Sequence, residues 1–361
     1  MNNKGDKAPV RVAILGLGMG TFHLEVLRKN PQAQVTMLCD LREDHARNLA
    51  ERTGVPEYCT DYHKVAANPN IDAVVVALPV FLHAPVTIEM IEAGKHVLVE
   101  KPMAARASDA EAMLAAARKK GLVLTINHNQ RFGPDVHFLT NYMAEGKLGR
   151  IHFARCIWTR PANALPGTDR NWFNEKDKGG GVLYDLGTHL LDKVLALLGF
   201  PEPVEFAASR FTVLGKRQEG NTGFKFDADD LTVGMIRFAN GLTIQLEVGF
   251  ASHIERELLY YELYGEKGGV STRDGFKIFT TEQDIPVCIQ ATHGLPIPPI
   301  ATVPDDFVDA ILNKRVPAIT PESGCKVVRI LDGLARAAET GWGAFRHDWD
   351  RVPNTQRQGE G

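Results

Sequence analysis

The segment DLGTHLLD (185–192) carries two carboxylates and one imidazole at spacings that suit a helix. At about 100° per residue, Asp185, His189 and Asp192 fall within about 60° of one another on one face, opposite a row of leucines. An imidazole beside a carboxylate can accept a proton in general acid–base catalysis. Pairing of Asp185 with His189, four residues apart, would orient the ring and raise the pKa of His189. A solvent-exposed polar face is the alternative, although such faces normally carry Lys and Glu.

A lysine at the end of an apolar strand is the second candidate for chemistry. Glu100 and Lys101 follow HVLV (96–99), and the carboxyl edge of a parallel sheet is where such folds bind ligands. Pro102 restricts Lys101 to extended geometry and so fixes its direction. Two adjacent charges at a solvated strand end are the alternative, and Pro102 counts against it.

Three glycines stand between an apolar run and a helical pattern in GLGMGTFH (16–23). The usual dinucleotide pattern G-x-G-x-x-G has its third glycine five residues after the first, whereas Gly20 follows Gly16 by four. Backbone N–H groups and the helix dipole at such a loop can hold a pyrophosphate. A flexible structural turn is the alternative, because turns use glycine for the same conformational freedom.

The carboxylate of Asp40 lies about twenty residues beyond this loop, at the end of the next predicted strand. There it can accept both ribose hydroxyls of NAD, and it would repel the 2′-phosphate of NADP. Arg42 could partly offset that repulsion, and a strand-end cap is the alternative role for Asp40. Together, the loop and the carboxylate predict NAD as the cofactor in preference to NADP.

The first third of the chain alternates apolar strand patterns with helical patterns, which predicts a doubly wound parallel sheet. The predicted strands are RVAIL (11–15), QVTMLC (34–39), DAVVVAL (72–78), HVLVE (96–100) and LVLTI (122–126). The predicted helices lie near 20–30, 43–53, 84–93 and 108–120, and Pro85 is expected just inside the start of the third.

The pattern changes after about residue 150 to one typical of antiparallel strands. LTVGMIRF and LTIQLEVGF flank Asn240-Gly241, which predicts a hairpin with Leu242, Ile244 and Phe250 on its core face. Further strands are predicted at 151–159, 204–213 and 257–265, and a helix near 321–339. The fold class is therefore α/β, with an N-terminal Rossmann doubly wound parallel sheet followed by an α/β domain with an open, mostly antiparallel sheet. The predicted boundaries are 1–126 and 127–361.

Several motifs in one order along the chain resemble the glucose–fructose oxidoreductase and inositol dehydrogenase (Gfo/Idh/MocA) family. The resemblance rests on the segment containing Pro79 and His83, on GKHVLVEKP (94–102), NHNQRF (127–132), GKLGRI (146–151), GGGVLYDLGTHLLD (179–192) and FVDAILNKRVPAITPESG (307–324). It implies the same two-domain fold and spans nearly the whole chain.

The resemblance also implies roles for particular residues. The family's lysine, aspartate and histidine at the nicotinamide match Lys101, Asp185 and His189, which form the catalytic set, and Asp192 is left out of it. The cofactor-binding set is Gly16, Gly18, Met19, Gly20, Asp40, Leu78, Pro79, His83, Glu100, Lys101 and Asn129. Glu100 is expected to be the partner of Lys101. His83, His96 and His128 follow family positions near the cofactor, but each could be a structural histidine.

The expected activity is reversible hydride transfer between NAD(H) and a secondary alcohol carbon of a sugar, inositol or related polyol. His189 would act as general base and Lys101 would stabilise the alkoxide, and which of the two transfers the proton stays open. The substrate-binding set is Lys101, Arg131, Trp158, Arg160, Arg170, Trp172, Asp185 and His189. The segment 159–173 is expected to set specificity. A dinucleotide-binding regulatory protein and an NAD-recycling glycoside hydrolase are the alternatives.

The composition points to a cytoplasmic protein that acts on small molecules. The chain has 361 residues with a formal net charge of −3, which gives no reason to expect nucleic acid or an anionic membrane as partner. The N-terminus lacks a secretory pattern, and the five cysteines lack CxxC spacing, so no disulfide framework or metal is expected. A homodimer or homotetramer through the C-terminal sheet is expected, with Tyr260 and Leu263 as apolar positions compatible with it.

Overall fold

The computed structural model describes residues 7–166, 172–291, 294–295 and 302–340, and the backbone of 345–346. Six parallel strands form the first sheet, in the order 3-2-1-4-5-6. In chain order they are β1 (Val10–Leu15), β2 (Ala33–Cys39), β3 (Glu57–Cys59), β4 (Ala73–Val76), β5 (His96–Val99) and β6 (Leu124–Ile126). The strand order reverses between β1 and β4, so this sheet is the doubly wound arrangement that the sequence predicts.

Five helices connect or follow these strands. They are α1 (Gly20–Leu27), α2 (Glu43–Thr53), α3 (Tyr62–Ala67), α4 (Val80–Glu92) and α5 (Ala107–Lys120). The sequence analysis missed β3 and α3, because a three-residue strand reading EYC has no apolar run. It was also wrong about Pro85, which lies inside α4 rather than at its start. Pro79 caps this helix, and the proline in its second turn removes one backbone hydrogen bond.

A second sheet of nine strands occupies the rest of the chain, in the order 14-13-12-11-7-10-9-8-15. The strands are β7 (Ile151–Pro161), β8 (Pro203–Phe211), β9 (Leu231–Phe238), β10 (Thr243–Ser252), β11 (Leu258–Gly265), β12 (Gly268–Ser271), β13 (Lys277–Glu282), β14 (Ile285–Gln290) and β15 (Phe345–Arg346). Of the described pairs, β7 and β10 run parallel and the others antiparallel. The mostly antiparallel second sheet is confirmed.

The predicted hairpin is confirmed as β9 and β10, which pair antiparallel around Asn240-Gly241. Leu242, Ile244 and Phe250 are buried in the second core, as the alternation predicts. The expectation that Leu263 would lie on the open face is wrong, because Leu263 points into the second core. Residues three apart on a strand face opposite sides of the sheet, so Tyr260 lies on the other face, where its ring is largely covered and the Arg273 guanidinium lies 5.4 Å from its centre.

The second half also carries the helices that hold the two sheets together. They are α6 (Pro134–Ala144), α7 (Thr188–Leu197), α8 (Leu214–Thr222), α9 (Val303–Asn313) and α10 (Pro321–Glu339). Phe307 of α9 and Val328 of α10 lie in the core of the first sheet, whereas Val327 and Leu331 of α10 lie in the second core. Helix α10 therefore joins the two cores. In the part of the chain that the structure describes, every helix is too short or too polar to cross a membrane.

Helix α7 is preceded by a π-helical turn at Leu183–Gly187 instead of forming one continuous α-helix. The expected single polar stripe is therefore wrong. Asp185 lies on the π-helical turn and faces Lys101, whereas Asp192 lies on α7 and is buried against Arg131. Tighter or wider turns change the angle between successive side chains, so spacing along a regular helix did not predict this arrangement.

Candidate active site

An ion pair between Lys101 and Asp185 joins the two halves of the molecule. Lys101 follows β5 at the carboxyl edge of the first sheet, and its Nζ lies 2.5 Å from Asp185 Oδ1 and 3.3 Å from the carbonyl oxygen of Asp185. The two side chains are 16% and 20% exposed. Burial alone would raise the pKa of Asp185, but the charge and hydrogen bond of Lys101 lower it overall. The carboxylate is therefore ionised and holds the ammonium in place.

The imidazole of His189 lies close to this ion pair, one turn further along the helix. Its Nδ1 is buried and has no hydrogen-bond partner among the described residues. Burial and the charge of Lys101 hold the pKa of His189 well below its usual range, against the opposing effect of Asp185. The expected pairing of Asp185 with His189 is wrong, because Asp185 accepts its hydrogen bond from Lys101. Asp185 does raise the pKa of His189, as expected, but burial and the charge of Lys101 outweigh that effect. His189 is thus neutral near pH 7, the form that can accept a proton.

Glu100 has a different partner from the one expected. Its carboxylate accepts hydrogen bonds from His23 Nε2 and Asn127 Nδ2, both at 2.7 Å, and from the Lys101 backbone amide at 3.2 Å. The Lys101 side chain turns away to Asp185. Burial alone would raise the pKa of Glu100, but the hydrogen bond and charge of His23 lower it overall. Glu100 therefore anchors the strand end beneath Lys101 and does not pair with its ammonium.

His83 links the ends of two neighbouring strands. It is buried on α4, with Nε2 2.8 Å from the carbonyl oxygen of Leu78 and Nδ1 2.9 Å from that of Pro102. Burial lowers the pKa of this imidazole. A neutral ring has one N–H, so it donates to one of these carbonyls at a time. The contacts hold the segment of Leu78 and Pro79 next to the turn that carries Lys101.

The three glycines of the loop have different structural roles. Gly16 has φ +82°, and a Cβ there would lie 2.3 Å from the carbonyl oxygen of Ala77. A Cβ on Gly20 would lie 2.8 Å from Ile14 Cγ2, so Gly20 lets α1 pack closely on β1. A Cβ on Gly18 would meet no described atom within 4 Å. Gly18 therefore faces open space at the start of α1, where a phosphate can approach the backbone.

In the shortened loop the third glycine has the same structural role as in the common pattern. Gly20, one residue early, provides the close helix–strand packing that the third glycine of the common pattern provides. Met19 precedes α1 and is 54% exposed.

Asp40 stands at the end of β2 beside this loop. Its carboxylate accepts hydrogen bonds from the amide of Leu17 at 2.9 Å, the amide of Arg42 at 3.0 Å and Arg42 Nε at 3.2 Å. Burial alone would raise the pKa of Asp40, but these hydrogen bonds from Arg42 and Leu17 lower it overall. An ionised carboxylate is thus fixed next to Gly16 and Gly18.

Arg131 and Asp192, predicted respectively as a substrate contact and as a member of a polar stripe, form an internal ion pair. Arg131 Nε donates to Asp192 Oδ2 at 2.7 Å. Arg131 Nη2 donates to Asp192 Oδ1 and also to Ser323 Oγ, the latter at 2.9 Å. His128 is also buried, and its Nε2 lies 3.6 Å from Asp192 Oδ1. Neither ring nitrogen of His128 has a hydrogen-bond partner in the described residues. Asn129 is exposed on the turn after β6.

A cluster of polar and aromatic side chains lies next to His189. The Trp158 ring lies 5.8 Å from the His189 ring, and the Arg160 guanidinium lies 5.1 Å over the Trp158 ring. Glu257, which the sequence analysis missed, accepts from Trp158 Nε1 at 2.7 Å and from Arg160 Nε at 3.3 Å. Its only sequence signal was a carboxylate at the start of a predicted strand.

Trp172 stacks on Phe173, with 3.7 Å between ring centroids. Arg170, also predicted to contact substrate, lies outside the described residues. Within the described ranges, no group of three or more His, Cys, Asp or Glu residues could hold a metal ion.

Comparison with known proteins identifies the family of this chain. Residues 10–128 match the oxidoreductase family with an NAD-binding Rossmann fold, and residues 137–271 match the GFO/IDH/MocA C-terminal domain. The chain is 28% identical to D-glucoside 3-dehydrogenase of Escherichia coli, over 94% of this chain and 99% of that protein. It is 30% identical to 1,5-anhydro-D-fructose reductase of Ensifer adhaerens, over 86% and 90%.

A solved structure of levoglucosan dehydrogenase in complex with NADH and L-sorbose matches 94% of this chain and 99% of its own, with a TM-score of 0.81 and 25% identity. The chain belongs to the Gfo/Idh/MocA family. It is an NAD(P)-dependent oxidoreductase that acts on CH–OH groups. The described residues fit a dinucleotide, because the open space at Gly18 and the ionised Asp40 stand together at the first βα turn.

Proposed function

We propose that the protein oxidises a secondary alcohol carbon of a sugar, inositol or related polyol, or reduces the corresponding ketone. The observation that carries this proposal is the Lys101–Asp185 ion pair beside the neutral, half-buried His189. One cation and one proton acceptor side by side are what alcohol oxidation requires, because the hydroxyl must lose its proton as charge develops on oxygen.

The cofactor would be held at the carboxyl edge of the first sheet. Gly16, Gly18, Met19 and Gly20 would hold its pyrophosphate and Asp40 its ribose, and Leu78, Pro79, His83, Glu100, Lys101 and Asn129 complete the set. Bound NAD supplies the hydride acceptor for oxidation and, in its reduced form, the hydride donor for reduction. The ionised Asp40 favours NAD over NADP, because it would repel a 2′-phosphate.

The proton is assigned to His189. Its neutral imidazole can accept the hydroxyl proton, while the Lys101 ammonium donates a hydrogen bond to the oxygen that becomes negatively charged. Asp185 holds the ammonium in position and lowers the energy of its charge in a partly buried site. Lys101 acts in this scheme as a fixed cation and not as the base.

The substrate is proposed to be a carbohydrate, recognised next to Trp158. An indole face suits the apolar face of a sugar ring, and the Glu257 and Arg160 side chains beside it offer hydrogen bonds to hydroxyls. Relatives named for a D-glucoside and for 1,5-anhydro-D-fructose support this class. Arg170 and Trp172 remain predicted substrate contacts, whereas the Arg131 side chain is paired with Asp192.

The test is a screen of sugars, inositols and sugar acids with NAD and with NADP, followed by absorbance at 340 nm. For a substrate that is turned over, His189→Ala should lower kcat by about 10²–10⁴-fold with NAD affinity within a few-fold. His63→Ala, at an exposed histidine on α3, is the matched control. Retention of most of the rate by His189→Ala would refute the base assignment. Release of free sugar without net NADH would indicate a hydrolase instead.

We also propose that two copies pair through the outer face of the second sheet. Met235, Tyr264 and Phe279 are large apolar or aromatic side chains exposed on this face, which the described helices leave open. Exposed apolar surface of this kind favours association. Light scattering coupled to size-exclusion chromatography should show a dimer or tetramer, and Phe279→Glu should shift it towards the monomer. A wild-type monomer at micromolar concentration would contradict the proposal.

A further inference from the structure

Two cysteines face each other at the edge of the first sheet. Cys39 is the last residue of β2, Cys59 is the last residue of β3, and the two are direct partners in the parallel register. Both are buried, and the Cys59 thiol donates a hydrogen bond to the carbonyl oxygen of Asp61 at 3.4 Å. Neither belongs to the catalytic or cofactor-binding sets, although Cys39 is followed directly by Asp40.

We propose that Cys39 and Cys59 form a reversible cross-strand disulfide when a peroxide oxidises them. Neighbouring strands lie about 4.7–4.9 Å apart, within the Cα separations of about 4.4–6.8 Å that disulfides span. The bond therefore needs little backbone movement. β3 is a three-residue strand at the sheet edge, so Cys59 can take up what movement is needed.

The chemistry balances with hydrogen peroxide as the oxidant. The Cys59 thiolate attacks one peroxide oxygen, the O–O bond breaks, and a sulfenic acid and hydroxide form. The Cys39 thiol then attacks the Cys59 sulfur, the S–O bond breaks, and the proton of Cys39 leaves with the departing oxygen as water. In total, two thiols and one hydrogen peroxide give one disulfide and two waters.

The two thiols have different surroundings, which assigns their roles. The neighbouring Cys39 thiol lowers the pKa of the Cys59 thiol to about 7, against the opposing effect of burial. The pKa of Cys39 is raised by the Cys59 thiol and by burial. Burial raises the pKa of Cys156 and of Cys325 to about 12 each. Cys59 is therefore the buried thiol that reacts first, because the thiolate is the nucleophile.

The pair is connected to the cofactor loop through the backbone. The carbonyl oxygen of Cys39 accepts from the Gly16 amide at 2.8 Å, and the Asp40 amide donates to the carbonyl oxygen of Cys59 at 3.2 Å. A bond that draws the ends of β2 and β3 together shifts both groups. We expect the disulfide to weaken NAD binding by about fivefold or more, within the usual range of coupling between sites. This coupling rests on the proposed role of Asp40, whereas disulfide formation does not.

The experiment uses a Cys288→Ser background, because Cys288 is an exposed cysteine. After treatment with hydrogen peroxide, intact mass should fall by two hydrogens, and digestion should yield a peptide linked between Cys39 and Cys59. Dithiothreitol should restore the original mass. By reciprocity, saturating NAD in a thiol–disulfide buffer should shift the pair towards the dithiol by the same factor that the disulfide weakens NAD binding.

Three variants in this background make the outcome decisive. Cys39→Ser should abolish the linked peptide and leave a sulfenic acid on Cys59 that dimedone traps. Cys39→Ala should also abolish the link, but with slower dimedone labelling, because it removes the group that lowers the pKa of Cys59. Cys325→Ser is the matched buried control and should still form the link. Absence of the linked peptide from the folded Cys288→Ser protein, or a link between other cysteines, would overturn the disulfide. A formed disulfide with unchanged NAD affinity would overturn the coupling. Unchanged NAD affinity in Asp40→Asn would count against the role of Asp40 and leave the disulfide standing.

Discussion

Removing the cation from the buried Arg131–Asp192 pair should destabilise the fold more than it affects substrate binding. Asp192 is 1% exposed and the Arg131 side chain 11%. Arg131→Met keeps an unbranched apolar stem in the same place but leaves the carboxylate without its two guanidinium contacts. Breaking a buried pair from one side typically costs about 3–5 kcal/mol, because an uncompensated charge stays behind. We expect a loss of that size in the free energy of unfolding at pH 7.5.

The pH dependence of this loss has a definite sign. Burial raises the pKa of Asp192 while Arg131 opposes it, so removing Arg131 raises the pKa further. The folded variant then binds a proton that the unfolded chain releases. Its stability relative to wild type therefore recovers as pH falls, by up to about 1.4 kcal/mol per pH unit. Arg131→Met with Asp192→Leu should recover most of the loss, since no charge is left buried.

Urea unfolding at pH 5.5, 6.5 and 7.5 measures these terms for wild type, the single variant and the double variant. KM is measured in parallel once a substrate is known. A single variant with wild-type stability and a KM raised tenfold or more would refute this reasoning. That result would favour the sequence prediction that Arg131 contacts the substrate.

Three further predictions follow from the same structure. Gly16→Ala should lower the free energy of unfolding, measured in urea, by about 1–3 kcal/mol, because Gly16 has a positive φ and a Cβ there would collide with Ala77. Gly18→Ala should fold normally, because its Cβ would meet no described atom, but should lose NAD affinity in a titration. The folded-state pKa of His128 lies well below its unfolded value, so its contribution to stability is lost as pH falls. His128→Gln should therefore flatten the slope of unfolding free energy between pH 6 and 5 by about 1.4 kcal/mol per unit, and an unchanged slope would contradict this. Glu257→Gln should raise KM with kcat within a few-fold and shift the fluorescence of Trp158, whereas an unchanged spectrum would argue against the contact.

The doubly wound sheet, the hairpin and most strand positions could be predicted because they depend on local periodicity. A run such as AVVV is apolar at every position, as a strand buried on both faces must be. In LTIQLEV apolar and polar residues alternate, as they do in a strand buried on one face. The elements that escaped prediction have weak local patterns. β3 is three residues long. The place of α9 against the first sheet depends on contacts between residues far apart in the chain, such as Asn30 and Asp305, which are 275 residues apart.

The candidate site likewise has features that could be predicted from the sequence and features that could not. Residue types and motif spacing were enough to select Lys101, Asp185 and His189, and to place Asp40 beside the glycine loop. Residue types and spacing did not predict which of these side chains pair with one another. The sequence analysis joined Asp185 to His189 and Glu100 to Lys101, whereas the structure joins Lys101 to Asp185 and Glu100 to His23.

What the sequence by itself determined is therefore the order of elements, the family, and which side chains are available for chemistry. Only the tertiary structure decided which charge faces which, that His189 is neutral, and that Arg131 is occupied by Asp192. The physical reason is that burial and partner choice depend on groups brought together from distant parts of the chain, and both act strongly on the energy of a charge. A π-helical turn that widens one helix start is enough to send Asp185 and Asp192 to different partners.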